Sequence, residues 1–107
     1  MNDDLRQIIE GLIDSEAVRF DIETNPDTKQ NFLRVWSTRE LLTDDIRDAM
    51  LLRWRDARDI LREHLGDRID FSAVSGLSVW QSDRGFDAHD LSWSQKRGAI
   101  HGNYRWE

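Results

Sequence analysis

The stretch from Asp44 to Leu65 constrains the fold more than any other part of the chain. No Gly or Pro interrupts it, Thr43 precedes it as a good N-cap, and Asp44 and Asp45 place negative charge at the positive end of a helix dipole. Gly66 follows Arg62 and His64, as at a helix C-terminus. At about 100° per residue, Ile46, Ala49, Met50, Trp54, Ala57, Ile60, Leu61 and Leu65 fall in one stripe roughly 160° wide. The span 44–65 is therefore expected to be one long helix lying on a core.

The polar side of that helix divides into two flanks. Arg47, Arg55, Arg58 and Arg62 gather on one, and Asp45, Asp48, Asp56, Asp59 and Glu63 on the next. Arg and Asp three or four residues apart pair along a helix surface and make it soluble. The same Arg flank also has the chemistry to grip an anionic partner. Leu51 falls within the Arg flank and Leu52 within the acidic one, either as isolated surface leucines or as part of an apolar contact. Arg53 and His64 sit on the apolar side. Arg53 is expected at its edge with a packed stem and a paired head, and His64 as a hydrogen-bonded residue at the helix end.

The segment before it changes period. Leu5, Ile8, Ile9, Leu12 and Ile13 form an apolar helical face over 3–15, capped by Asp3 or Asp4, with Gly11 off that face. Val18, Phe20 and Ile22 then alternate with Arg19, Asp21 and Glu23, a strand pattern over 17–23. Asn25-Pro26-Asp27 is a turn sequence, and 31–36 returns as the second strand of a hairpin. Leu33 and Val35 share one face of that strand and Phe32, Arg34 and Trp36 the other, so it is expected nearer the centre of the sheet. Ser37 and Glu40 have the spacing of a capping box.

From residue 69 onward short strands and loops are expected. Ile69 and Phe71 alternate with polar neighbours, and Leu77 to Gly85 resembles Leu91 to Gly98 closely enough to predict two similar strands around a loop. The fold class that follows is a single α+β domain over 1–107, in the order αββα followed by two or three short strands, with the sheet packed on two helices.

Composition restricts the function. The chain has no cysteine, a formal net charge of −6, thirteen Arg against two Lys, and five Trp in 107 residues. Without cysteine there is neither a disulfide framework nor a thiol nucleophile, and the acidic first residues do not resemble a signal peptide, so a cytoplasmic location is expected. The acid surplus disfavours general attraction to nucleic acid or an anionic membrane, and no apolar run reaches the roughly 18 residues of a membrane span. Gly76, Gly85, Gly98 and Gly102 lack the spacing of a phosphate loop, and no serine stands in a nucleophile elbow. No enzyme activity and no cofactor are expected. Asp83, Asp87, His89 and Asp90 crowd one stretch, with His101 farther on. Metal-dependent activity in the Asp83–Asp90 loop is the remaining chemical alternative, against a solvated turn in which the aspartates bond their own backbone.

The tryptophans point elsewhere. Trp54 belongs to the core by helical phase, and Trp36, Trp80, Trp93 and Trp106 suit a small core that has few large aliphatic layers. Alternatively Trp106 with Tyr104, or Trp36 with Phe32, forms an exposed aromatic anchor of the kind that dominates protein interfaces. The leading expectation is a non-catalytic, acidic protein-interaction module, in the manner of a small phage or mobile-element inhibitor or adaptor. Arg47, Leu51, Arg55, Arg58, Arg62 and Trp106 are its candidate binding residues. The alternative is local recognition of nucleic acid or phosphate by the Arg flank. A second protein is the expected partner, with no membrane involved and self-association compatible with the sequence.

Overall fold

The computed structural model describes residues 3–83 and 100–106. Its elements run α1 (Asp3–Asp14), β1 (Arg19–Thr24), β2 (Asn31–Thr38), α2 (Asp44–Leu52), α3 (Trp54–Leu65), β3 (Val74–Ser82) and β4 (Ile100–Trp106). The domain is α+β. Its four strands lie in chain order, antiparallel between β1 and β2, parallel between β2 and β3, and antiparallel between β3 and β4. The parallel pair requires a crossover, and α2 and α3 supply it.

Alternation along the strands sorts side chains between two faces. Leu33 and Val35 of β2, Leu77 and Val79 of β3, and the partly buried Phe20 and Ile22 of β1 join one cluster with Leu5, Ile9 and Leu12 of α1 and with Met50, Leu51, Trp54, Ala57, Ile60, Leu61 and Leu65 of α2 and α3. All three helices therefore cover one face of the sheet. At its surface α1 is tied to α3 by an ion pair from Arg6 to Glu63 at 2.6 Å and a hydrogen bond between His64 and Glu10 at 3.0 Å. His64 is thus a bonded helix-end residue, as expected.

The hairpin turn is built by Asn25. Its Oδ1 accepts the N–H of Asp27 at 2.9 Å, its carbonyl accepts the N–H of Lys29, and Lys29 adopts φ 64°. Thr43 caps α2, its hydroxyl accepting the N–H of Ile46 at 3.3 Å.

Three expectations change. The helix expected over 44–65 is two helices, so three rather than two pack on the sheet. The chain breaks at Arg53, where φ −119° and ψ 47° leave the helical region. The break re-phases α2 relative to α3 and turns the Arg47 and Leu51 side inward. Leu51 is consequently 8% exposed and part of the core rather than a surface residue of the Arg flank, whereas Leu52 is 80% exposed. Arg53 is half-buried and pairs with Asp56 at 3.6 Å. Ser37 does not cap a helix. It extends β2, and its hydroxyl donates to the Ala17 carbonyl at 2.9 Å. Ile69 and Phe71 form no strand but pack from a loop against the core. The strand expected from Leu77 to Gly85 is β3, Val74–Ser82; its proposed copy at 91–98 lies outside the described residues.

Candidate functional site

The sheet's other face is lined by aromatic and charged residues in three cross-strand rows. Glu23, Phe32, Gly76 and Trp106 form the first, Asp21, Arg34, Ser78 and Tyr104 the second, and Arg19, Trp36, Trp80 and Gly102 the third. Each row sets a small residue beside large ones, which allows rings to lie across the strands. A Cβ on Gly76 would stand 2.6 Å from the Phe32 ring and 2.5 Å from the Arg105 carbonyl oxygen. One on Gly102 would stand 2.9 Å from the Trp80 ring. Both glycines are required by close approach, the role in which a strand glycine is filled by an aromatic neighbour.

Over Gly76, Phe32 reaches β4. Its ring meets Tyr104 edge-on at a centroid distance of 5.3 Å and Trp106 at 6.1 Å. Trp80 meets Tyr104 at 6.0 Å. Phe32, Trp36 and Trp80 are buried, whereas Trp106 remains 54% exposed. Trp36 therefore packs with Trp80 in a buried cluster rather than forming an exposed anchor with Phe32.

Polar groups thread these rings. Arg34 donates twice to Asp21, both bonds at 2.7 Å, and lies 5.5 Å from the Trp80 ring centre. Those bonds hold the Arg34 guanidinium above its usual pKa against the pull of burial. Glu23 leans across β2, and its carboxylate accepts the Ser78 hydroxyl at 3.1 Å and the Tyr104 hydroxyl at 3.0 Å. Burial, followed by the Glu23 charge and hydrogen bond, pushes the Tyr104 phenol well above its ordinary pKa.

At the end of this face, an open cleft of about 640 Å³ lies between the hairpin turn and β4. Phe32, Tyr104 and Trp106 are its aromatic lining, and Glu23, Pro26 and Asp27 line it as well. This is the size of a ligand site, with an aromatic lining from β2 and β4 and the polar residues in and beside the hairpin turn, Thr24, Asn25, Thr28 and Gln30, completing it. The described lining residues include two carboxylates and no cation.

The Arg flank is engaged differently. Arg47 pairs with Asp44 at 3.3 Å and Asp48 at 2.9 Å, and also donates to Gln81 at 3.0 Å. Gln81 is fully buried; its amide donates to Leu42 and Asp44, and Arg39 also bonds Asp44. Gln81, then Arg47 and Arg39, lower the Asp44 pKa from the ordinary carboxylate value. Arg55 and Arg58 lie 4.6 and 5.2 Å from the Trp54 ring centre, and Arg58 and Arg62 both reach Asp59. These arginines are woven into the protein's own carboxylates and Trp54, so the flank is not a row of uncommitted cations.

Of the residues expected to bind, only Trp106 joins the cleft; Arg47, Leu51, Arg55, Arg58 and Arg62 belong to the helix layer. Glu23 and Phe32, which line the cleft, and Gly76, against which the Phe32 ring packs, were not among them. Their one sequence signal is period-2 alternation, which puts Glu23 on the polar face of β1 and Phe32 on the second face of β2. Gly76 carries none without the register. Asp87, His89 and Asp90 lie outside the described residues, while Asp83 pairs with Arg39 at 2.5 Å. Among the described residues no three His, Cys, Asp or Glu side chains gather as a metal site, and no helix is long and apolar enough to cross a membrane. Comparison with known protein families, curated proteins and solved structures finds no match to this chain.

Proposed function

We propose that this chain is a non-catalytic binding module that takes a segment of another protein into the cleft between the hairpin turn and β4. The observation that carries the reading is Trp106, a large aromatic 54% exposed at the mouth of a cleft whose rear wall, Phe32 and Tyr104, is held in place by packing and hydrogen bonds. Exposed Trp on a rigid support is the usual form of an interface anchor. The polar groups behind it already have partners, which suits recognition better than chemistry. The inhibitor or adaptor role expected from sequence fits such a module, and a cytoplasmic location is part of the same proposal.

Panning a random peptide display library against the immobilised protein tests this. A peptide consensus is expected to emerge with wild type and to disappear with Trp106→Ala, which removes a surface residue and leaves the melting temperature close to that of wild type. Enrichment of the same peptides by both proteins, or of none by either, would remove the cleft as the binding site.

A further inference from the structure

Three features of the molecule invite a ligand: the arginine stacks on the helices, the exposed Leu52 beside β4, and the aromatic cleft. The arginines are already paired. Leu52 lines an open cleft with Arg47, Asp48 and Arg105, whose charges of both signs single out no partner chemistry. The cleft carries a chemical signature, and resting on the binding reading above, we infer that its occupant is an arginine side chain of a partner polypeptide, its guanidinium laid on Trp106 and its charge balanced by Glu23 and Asp27.

The protein's own interior supplies the pattern. Arg34 sits over Trp80, and Arg55 and Arg58 over Trp54, so two of the three buried tryptophans are faced by guanidinium groups within about 5.5 Å. Trp106 is exposed, and among the described residues no arginine lies on it. Among the described residues its cleft is lined by two carboxylates and no cation. Arg19 and Arg34 share this face with Glu23, and the paired bonds of Arg34 go to Asp21. Glu23 therefore receives two hydroxyl hydrogen bonds but no cationic one in the described structure. An aromatic wall beside carboxylates to which no described cation is hydrogen-bonded is an arrangement that selects a cation, and a planar guanidinium stacks on an indole better than an ammonium does. The net charge of −6 draws such a partner in from a distance.

A nuclear magnetic resonance titration separates this inference from the broader reading. The probe is a capped Gly-Ser-Arg-Ser-Gly peptide, and the control carries citrulline, the neutral isostere, in place of arginine. The arginine peptide is expected to shift the Trp106 indole resonance and the turn amides around Asp27, with the citrulline peptide about tenfold weaker. Trp106→Ala is expected to abolish the shifts. Asp27→Asn is expected to weaken arginine binding alone, as is Glu23→Gln, whose melting curve checks that the fold survives. Equal binding of the two peptides would overturn the cationic occupant while leaving the cleft a peptide site. Absence of cleft shifts with both, or shifts confined to α2 and α3, would overturn it as well. The panning result decides the broader reading independently.

Discussion

The two faces of the sheet are built from different materials. On the helix-covered face, Leu33, Val35, Leu77 and Val79 are fully buried aliphatics meeting a helical layer of the same kind. Such a surface is specified by volume, and many sequences fill it. On the other face, Phe32, Trp36, Trp80, Tyr104 and Trp106 are interleaved with Asp21, Glu23, Arg34 and Ser78, and two glycines let rings cross the strands. That face is specified by register and hydrogen bonding, and it ends in the cleft. One face supplies stability and the other combines stability with a shaped, charged surface.

Substitutions sharpen the contrast. Leu33→Ala, which opens a cavity under the helices, is expected to cost about 2–5 kcal/mol in urea unfolding, with the signals of Tyr104 and Trp106 kept in the folded protein. A loss far below that range would mean that the helix layer collapses onto the sheet and that the two faces are less distinct. Gly76→Ala is expected to cost about 1–3 kcal/mol, because its methyl group meets a backbone carbonyl as well as the Phe32 ring. It should also change the near-ultraviolet circular dichroism of the aromatic face. An unchanged spectrum would break the claim that Gly76 places the rings.

The smallest effect is the most specific. Tyr104 is the single tyrosine of the chain, so absorbance at alkaline pH reports it alone. A folded pKa raised above the unfolded value of about 10 favours the neutral phenol. Its contribution to stability is complete below that pH and declines as pH rises through the folded pKa. Native protein is expected to ionise this phenol at higher pH than unfolded protein, with Glu23→Gln lowering the native midpoint. Coincident folded and unfolded titrations would disprove the Glu23 contact.

Local periodicity made α1, the hairpin and the central position of β2 legible, since each depends on neighbouring residues and on which faces are apolar. It also placed Trp54 in the core. The break at Arg53 was not legible. No Gly or Pro marks it, and the helical stripe continues through it, so only the packing of α2 on β3 and β4 separates the phases. The cleft was half legible: Trp106 and Tyr104 stood out as aromatics near one another in sequence. Pairing them with Phe32 and Glu23 required the β2–β3 and β3–β4 registers, long-range facts that a local pattern does not encode.

The parallel β2–β3 pairing also sets a timetable. During synthesis β2 obtains its hairpin partner at once, but Val74, where β3 begins, is made about 36 residues after Thr38, a delay of about 2–7 s at ordinary translation rates. Through that interval β2 has an unpaired edge beside Phe32, Leu33, Val35 and Trp36, the segment of the chain best suited to pair with a second nascent copy. Yield of this protein should therefore depend on how quickly ribosomes cross α2 and α3, so that codon choice in that interval becomes a determinant of solubility.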